Sequence, residues 1–77
     1  MVRVKFFASL REQFGAGELD LPLRPGMSVS DVWAAAAGQP MPEHVLMARN
    51  LEYVQGDCAV EDGDEIAFFP PVTGGAA

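Results

Sequence analysis

The residues best suited to chemistry lie at the carboxyl end of the chain, in the segment Phe68-Phe-Pro-Pro-Val-Thr-Gly-Gly75. Pro70 and Pro71 cannot donate a backbone hydrogen bond and hold φ near the polyproline value, so they end a strand and leave the chain stiff and extended. Beyond them, Gly74 and Gly75 have no Cβ, so their backbone fits a narrow channel and can approach a ligand closely. The pattern predicts that the thin tip of the chain performs the chemistry.

The other reactive side chains form no catalytic or metal-binding pattern. Cys58 is the only cysteine, which excludes an internal disulfide and a cysteine-rich zinc site. We interpret it as a small, partly buried apolar residue rather than a persulfide carrier, because no activating base or helix terminus is evident. His44 is expected to be structural. The acidic residues between positions 57 and 65 predict a solvated loop, with partner contact as the alternative.

Length and charge limit the possible functions. The 77 residues make one domain, and 49% of them are hydrophobic, enough for one modest core. The net charge of −6 argues against nucleic acid, which needs a basic face, and favours a protein partner with a basic surface. The start of the chain does not resemble a signal peptide, and no apolar run is long enough to span a membrane. We therefore expect a soluble, cytoplasmic protein.

Alternating polarity predicts strands at both ends of the chain. Val2, Val4 and Phe6 alternate with polar or outward-facing positions, and a helical turn at 9–14 should follow. A second strand is predicted over 18–23, with Pro22 marking it as an edge strand. Shorter strands are expected at 44–49 and 52–55, and a last strand carries Ile66 and Phe68 inward.

One main helix is predicted between the first two strands and the short strands at 44–49 and 52–55. Ser28 is suited to cap its start, with Asp31 three residues later completing a capping box. Val29, Val32, Trp33 and Ala36 fall on one face and Gly38 suits the carboxyl-terminal cap. Periodicity therefore indicates an α+β domain.

Two motifs resemble one known family. The end, Phe68-Phe-Pro-Pro-Val-Thr-Gly-Gly75, and the start, Val4-Lys-Phe-Phe-Ala-Ser-Leu-Arg-Glu12, are similar to the small, sulfur-carrying subunits of molybdopterin synthases. These are ubiquitin-like proteins of the same family as the thiamine sulfur carrier. The resemblance implies a ubiquitin-like β-grasp roll over residues 1–70, with a mixed sheet of four to five strands and one main helix. A flexible tail over residues 71–77 would follow it.

The resemblance also implies a function. The chain would deliver sulfur, as a thiocarboxylate on Gly75, to a pterin precursor in molybdenum cofactor biosynthesis, and Gly74 would let the group reach a buried active site. The chain alone would catalyse nothing. The active site would lie on a large catalytic subunit, and a separate ATP-dependent adenylating enzyme would charge the tail. We thus expect no bound cofactor or metal, with ATP used by the activating enzyme.

Two aromatic rings are expected to form a docking patch beside the tail. If Phe6 and Phe68 face the core, then Phe7 and Phe69 face outward, and in a ubiquitin-like sheet the first and last strands are neighbours. Two exposed rings at one place suggest a binding surface. The alternative is that a twist or bulge buries one of them. The resemblance adds the tail residues Pro70, Pro71, Val72 and Thr73 to the partner-binding set.

Ala76 and Ala77 depart from the family, which ends at the second glycine. The expected chemistry needs a free carboxylate on Gly75, which here is joined to Ala76. Three explanations stay open: a protease trims the chain after Gly75, the alanines are absent from the natural protein, or the carrier is inactive or uses Ala77. Two other functions stay open: a sulfur carrier for thiamine, cysteine or tRNA thiolation, and a ubiquitin-like binding module that is never activated.

Overall fold

The computed structural model describes residues 1–15, 17–42 and 44–70. The predicted tail, residues 71–77, lies outside the described residues. In chain order the elements are β1 (Val2–Phe6), α1 (Ser9–Phe14), β2 (Glu18–Leu21), α2 (Val29–Ala37), β3 (Leu46–Arg49), β4 (Glu52–Val54) and β5 (Glu65–Phe69).

The five strands form one mixed sheet in the order β2-β1-β5-β3-β4. The central pair, β1 and β5, is parallel, with Val4 opposite Ile66 and Phe6 opposite Phe68. All other neighbours are antiparallel. The last strand thus lies in the middle of the sheet, between the two hairpins, and the expected α+β β-grasp architecture is confirmed.

The core lies between one face of the sheet and α2. Alternation places Val2, Val4 and Phe6 of β1 on this face, together with Ile66 and Phe68 of β5, and all five are at most 2% exposed. From α2, Trp33 packs edge-on against Phe68, with ring centroids 5.0 Å apart. The indole nitrogen donates a hydrogen bond to the Gln39 carbonyl at 2.8 Å, so this donor is paired.

Both ends of α2 are fixed by the residues that the sequence indicated. The Ser28 side chain accepts a hydrogen bond from the Asp31 backbone, and the Asp31 carboxylate accepts one from the Ser28 backbone. This exchange satisfies backbone donors that a helix start otherwise leaves unpaired. Gly38 ends the helix at φ 70°, in the left-handed region that favours glycine.

Three predicted strand boundaries are wrong, and for one of them, the strand expected over 52–55, the difference is a single residue, since it ends at Val54. The strand expected over 18–23 ends at Leu21, which is opposite Val2 at the start of β1, and Pro22 has no N–H to continue the ladder. The strand expected from His44 begins at Leu46, because His44 has φ 67° and cannot adopt the extended conformation. No helix of the described residues is long and apolar enough to cross a membrane.

Candidate docking face and exit of the tail

Phe7 and Phe69 stack on the outer face of the sheet. The parallel pairing of Phe6 with Phe68 places the next residue of each strand side by side, and the Phe7 N–H donates to the Phe68 carbonyl at 3.2 Å. The two ring centroids are 4.7 Å apart with only 8° between the planes, and Phe7 remains 39% exposed. The expectation that both rings share one surface is therefore confirmed. That this surface binds a partner stays a prediction.

Two further residues that the sequence reasoning missed enlarge this surface. Leu46 of β3 is opposite Phe69 in the antiparallel register, and the Tyr53 ring lies 6.3 Å from the Phe69 ring. Tyr53 is 73% exposed and Leu46 37%. A signal for Tyr53 existed, since Val54 packs against the core and its neighbour in a strand must face the other way. We refer to Phe7, Leu46, Tyr53 and Phe69 as the aromatic face.

The chain leaves the sheet at the aromatic face. Phe69 is the last residue of β5 and Pro70, half-buried, follows it directly. Because β5 is flanked on both sides by other strands, the exit lies at the middle of one end of the sheet. The predicted site residues Pro71, Val72, Thr73, Gly74 and Gly75 lie outside the described residues, so their positions in space are not part of this geometry.

Ion pairs occupy the rest of the outer sheet face. Cross-strand neighbours Arg3 and Asp20 approach to 3.3 Å, and the Lys5 ammonium lies 3.3 Å from Glu65 and 3.8 Å from Glu18. The hydrogen bond to Asp20 is the main cause that raises the pKa of Arg3. These pairs are solvent-exposed and contribute little to stability. Their effect is to give the outer sheet face two halves, one aromatic and one charged.

Asp64 is a buried carboxylate, and the prediction of a solvated acidic loop is wrong for this residue. Its side chain accepts hydrogen bonds from Arg49 at 2.7 Å, from Asn50 at 2.9 Å and from the Glu61 backbone at 2.7 Å. Burial by itself raises the pKa of Asp64, but the hydrogen bonds from Glu61, Arg49 and Asn50 outweigh it and hold the pKa below its ordinary value. Asp64 therefore stays ionised and joins the end of β3 to the start of β5.

The remaining candidates take structural positions. Cys58 is half-buried and packs against the core, as expected for a small apolar residue. His44 is exposed, in the loop before β3. Within residues 1–15, 17–42 and 44–70, no group of three His, Cys, Asp or Glu side chains could hold a metal ion. The described part of the chain therefore offers surfaces for binding and a fixed exit for the tail.

The chain matches one known protein family. A model of the ThiS family matches residues 4–75, so the match ends at Gly75 and leaves Ala76 and Ala77 outside. The molybdopterin synthase sulfur carrier subunit of Escherichia coli is 45% identical, over 97% of this chain and 100% of its own length. The protein of the same name from Chlamydomonas reinhardtii is 37% identical, over 96% and 98%.

Solved structures share the fold. Small archaeal modifier protein 1 of Haloferax volcanii has a TM-score of 0.82 at 27% identity, over 92% of this chain and 97% of that one. A putative molybdopterin converting factor, subunit 1, from Pyrococcus furiosus has a TM-score of 0.78 at 31% identity, with the same coverage.

Proposed function

Because the chain belongs to the ThiS family, we propose that it is the sulfur carrier subunit of a molybdopterin synthase and carries sulfur as a thiocarboxylate on Gly75. Two stacked rings, Phe7 and Phe69, lie directly beside the point where the chain leaves the central strand. This observation carries the proposal, because a partner that docks on the aromatic face receives the tail at a fixed place. The near-full-length similarity to sulfur carrier subunits supports the choice of pathway.

The proposed chemistry takes place at the Gly75 carboxylate. An adenylating enzyme transfers AMP from ATP to this carboxylate and releases pyrophosphate, because a free carboxylate is a poor acyl donor at neutral pH. Sulfide can attack the acyl carbon and displace AMP, which leaves the thiocarboxylate directly. A persulfide instead gives an acyl disulfide, whose S–S bond a thiol must then cleave to release the thiocarboxylate. In the large catalytic subunit, its sulfur would attack the pterin precursor, hydrolysis would return the Gly75 carboxylate, and two such transfers would build the dithiolene. The carrier holds no cofactor of its own in this scheme, and we propose that it acts in the cytoplasm together with its partners.

The terminal carboxylate must be on Gly75 for this scheme to work. A methyl side chain and two extra residues would crowd a channel shaped for glycine, so a protease would have to release Ala76 and Ala77. We expect the chain that ends at Gly75, and not the one that ends at Ala77, to support ATP–pyrophosphate exchange by the adenylating enzyme when no protease is present. Equal exchange by both chains would contradict the requirement for trimming.

The thiocarboxylate itself is tested by the intact mass of the chain purified from its native cell. We expect a chain that ends at Gly75 and carries the mass gain of one oxygen-to-sulfur exchange. The same protein should lose that gain when it is incubated with the large subunit and the pterin precursor. A native chain that never contains the extra sulfur, even in cells that make molybdenum cofactor, would refute the proposal and leave a binding module.

Docking on the aromatic face is tested by removing its rings one at a time. Phe7→Ala and Phe69→Ala should each weaken binding to the large subunit by about 2 kcal/mol or more, because each removes an anchor that the partner would bury. Titration calorimetry on folded variants measures this loss. Leu51→Ala is the matched control, since Leu51 is 88% exposed and lies outside the aromatic face. Unchanged affinity for both phenylalanine variants would leave the tail as the main contact.

The likeness to small archaeal modifier protein 1 supports a second candidate function. In that case the activated Gly75 would form a covalent bond to another molecule instead of receiving sulfur. The native intact mass separates the two, because a modifier is recovered in adducts through Gly75. Sulfur carriage for thiamine, cysteine or tRNA would instead give the same thiocarboxylate but no transfer with the molybdopterin synthase large subunit.

A further inference from the structure

Arg11 lies beside the aromatic face in a position that the fold keeps open for it. It follows buried Leu10 in α1, and its side chain passes over the backbone of Gly17. A Cβ on residue 17 would lie 3.0 Å from Nε of Arg11 and 3.1 Å from Cζ, closer than ordinary contact. The guanidinium of Arg11 therefore lies directly over the backbone of Gly17.

The same surface depression contains Arg11 and the exposed ring of Phe7. Its volume is about 320 Å³, and its lining also includes Lys5, Gly17 and Glu18. The ammonium of Lys5 is already near the Glu18 and Glu65 carboxylates, and the Glu18 carboxylate is shared with Arg3. The carboxylate in the depression is therefore occupied by other cations.

Arg11 differs in this respect from three of the other four cationic side chains of the protein. Arg3, Lys5 and Arg49 form ion pairs, whereas Arg24 has only the more distant charge of Asp31 nearby and lies in another depression. Among the residues that the structure describes, Arg11 has no carboxylate within ion-pair distance. In a chain whose net charge is −6, Arg11 is thus a cation without an ion pair in the described residues that lies beside Phe7.

A partner that covers Phe7 must also take water away from Arg11, because both line one depression. Burying a guanidinium without an acceptor is costly, whereas a carboxylate matches its fork of N–H donors with two parallel hydrogen bonds. We propose that Arg11 is a selectivity residue of the aromatic face, which pairs with an Asp or Glu carboxylate on the docked large subunit. This inference rests on the proposed docking function.

The consequence is a choice between partners. The net negative charge of the carrier attracts basic surfaces in general, without fixing how they are oriented. A carboxylate opposite Arg11 would fix the orientation on the sheet and therefore the direction in which the tail enters. An apolar surface that lacks this carboxylate would leave Arg11 buried and unpaired, so it would be rejected.

The test compares Arg11→Gln with Arg24→Gln in titration calorimetry against the large subunit. Both substitutions remove one positive charge, so they change long-range attraction equally, but only Arg11 lies beside Phe7. We expect Arg11→Gln to weaken binding at least about tenfold and Arg24→Gln to leave it within about twofold. Arg11→Lys, which keeps the charge without the fork, should recover part of the loss. Melting temperatures check that all variants stay folded.

The outcomes separate this inference from the function on which it rests. If Arg11→Gln binds like the unchanged protein while Phe7→Ala binds weakly, the role of Arg11 is refuted and docking stands. If Arg11→Gln and Arg24→Gln change binding by the same factor, the effect comes from the total charge of the carrier and the specific pair is refuted. If the unchanged protein does not bind the large subunit, the proposed function itself fails.

Discussion

At the scale of single residues, Asp64 shows why a local reading of the acidic segment fails. The segment predicts a solvated loop because acidic residues are rarely buried. Burial of Asp64 depends on Arg49 and Asn50, which come from another part of the chain and donate hydrogen bonds to it. The spacing of residues within 57–65 does not show that Arg49 and Asn50 will donate hydrogen bonds to Asp64. By contrast, the positions of Trp33 and Cys58 were predicted, because an apolar side chain can be buried in a core without specific hydrogen-bond partners.

We expect Asp64→Asn to destabilise the fold by about 1–3 kcal/mol, because the amide cannot accept all three hydrogen bonds and leaves buried donors unpaired. Denaturant unfolding at neutral pH measures the loss. Asp57→Asn is the matched control, since Asp57 is exposed in the same loop. Equal stability of both variants would mean that the network around Asp64 contributes nothing.

The same carboxylate makes stability depend on pH with a definite sign. The pKa of Asp64 is lower in the folded protein than in the unfolded chain, so its contribution is complete above the unfolded value of about 3.9. It is lost as the pH falls through the lower folded pKa. The difference in unfolding free energy between the unchanged protein and Asp64→Asn should therefore shrink below about pH 4. A difference that stays constant down to pH 2 would contradict this assignment.

At the scale of elements, the sequence predicts best what neighbouring residues decide. The caps of α2 and the alternation of β1 are local patterns, and both are confirmed. The end of β2 was missed, because it depends on where the paired strand begins. The start of β3 was missed, because it depends on the left-handed conformation of His44. The aromatic face was predicted only in part for the same reason, since Leu46 and Tyr53 reach it through strand pairing.

The capping box gives a prediction at this scale. Ser28→Ala removes the side-chain acceptor for the Asp31 N–H and should cost about 1 kcal/mol of stability. Ser30→Ala is a suitable control, because Ser30 is exposed within the helix and does not cap it. Thermal unfolding of the two variants measures the difference in stability. Equal melting temperatures would mean that the capping interaction does not stabilise the fold.

At the scale of the whole molecule, the domain and its tail should be separable. Among the residues that the structure describes, the hydrophobic core extends from Val2 to Phe68, and we predict that the fold does not need the end of the chain. The order of the strands could not be read from periodicity alone, because alternation fixes which face is buried but not which strands are neighbours. The family resemblance implied that the first and last strands are neighbours, and the pairing of β1 with β5 confirms this.

The separation is tested by one core substitution and one truncation. Phe68→Ala should cost about 3–5 kcal/mol, a large part of the stability of so small a domain, because Phe68 is fully buried against Phe6 and Trp33. Removal of residues 74–77 should change stability by less than about 0.5 kcal/mol and abolish adenylation. Strong destabilisation by the truncation would mean that the tail packs on its own domain and is not offered to a partner.

The stacked rings also distinguish a folded chain from an unfolded one. Phe7 and Phe69 belong to opposite ends of the chain, and they meet only because the first and last strands pair in the centre of the sheet. A nascent or misfolded chain in which these strands have not paired cannot bring both rings to a stacking distance. A partner that binds both rings at once would therefore recognise only folded carriers.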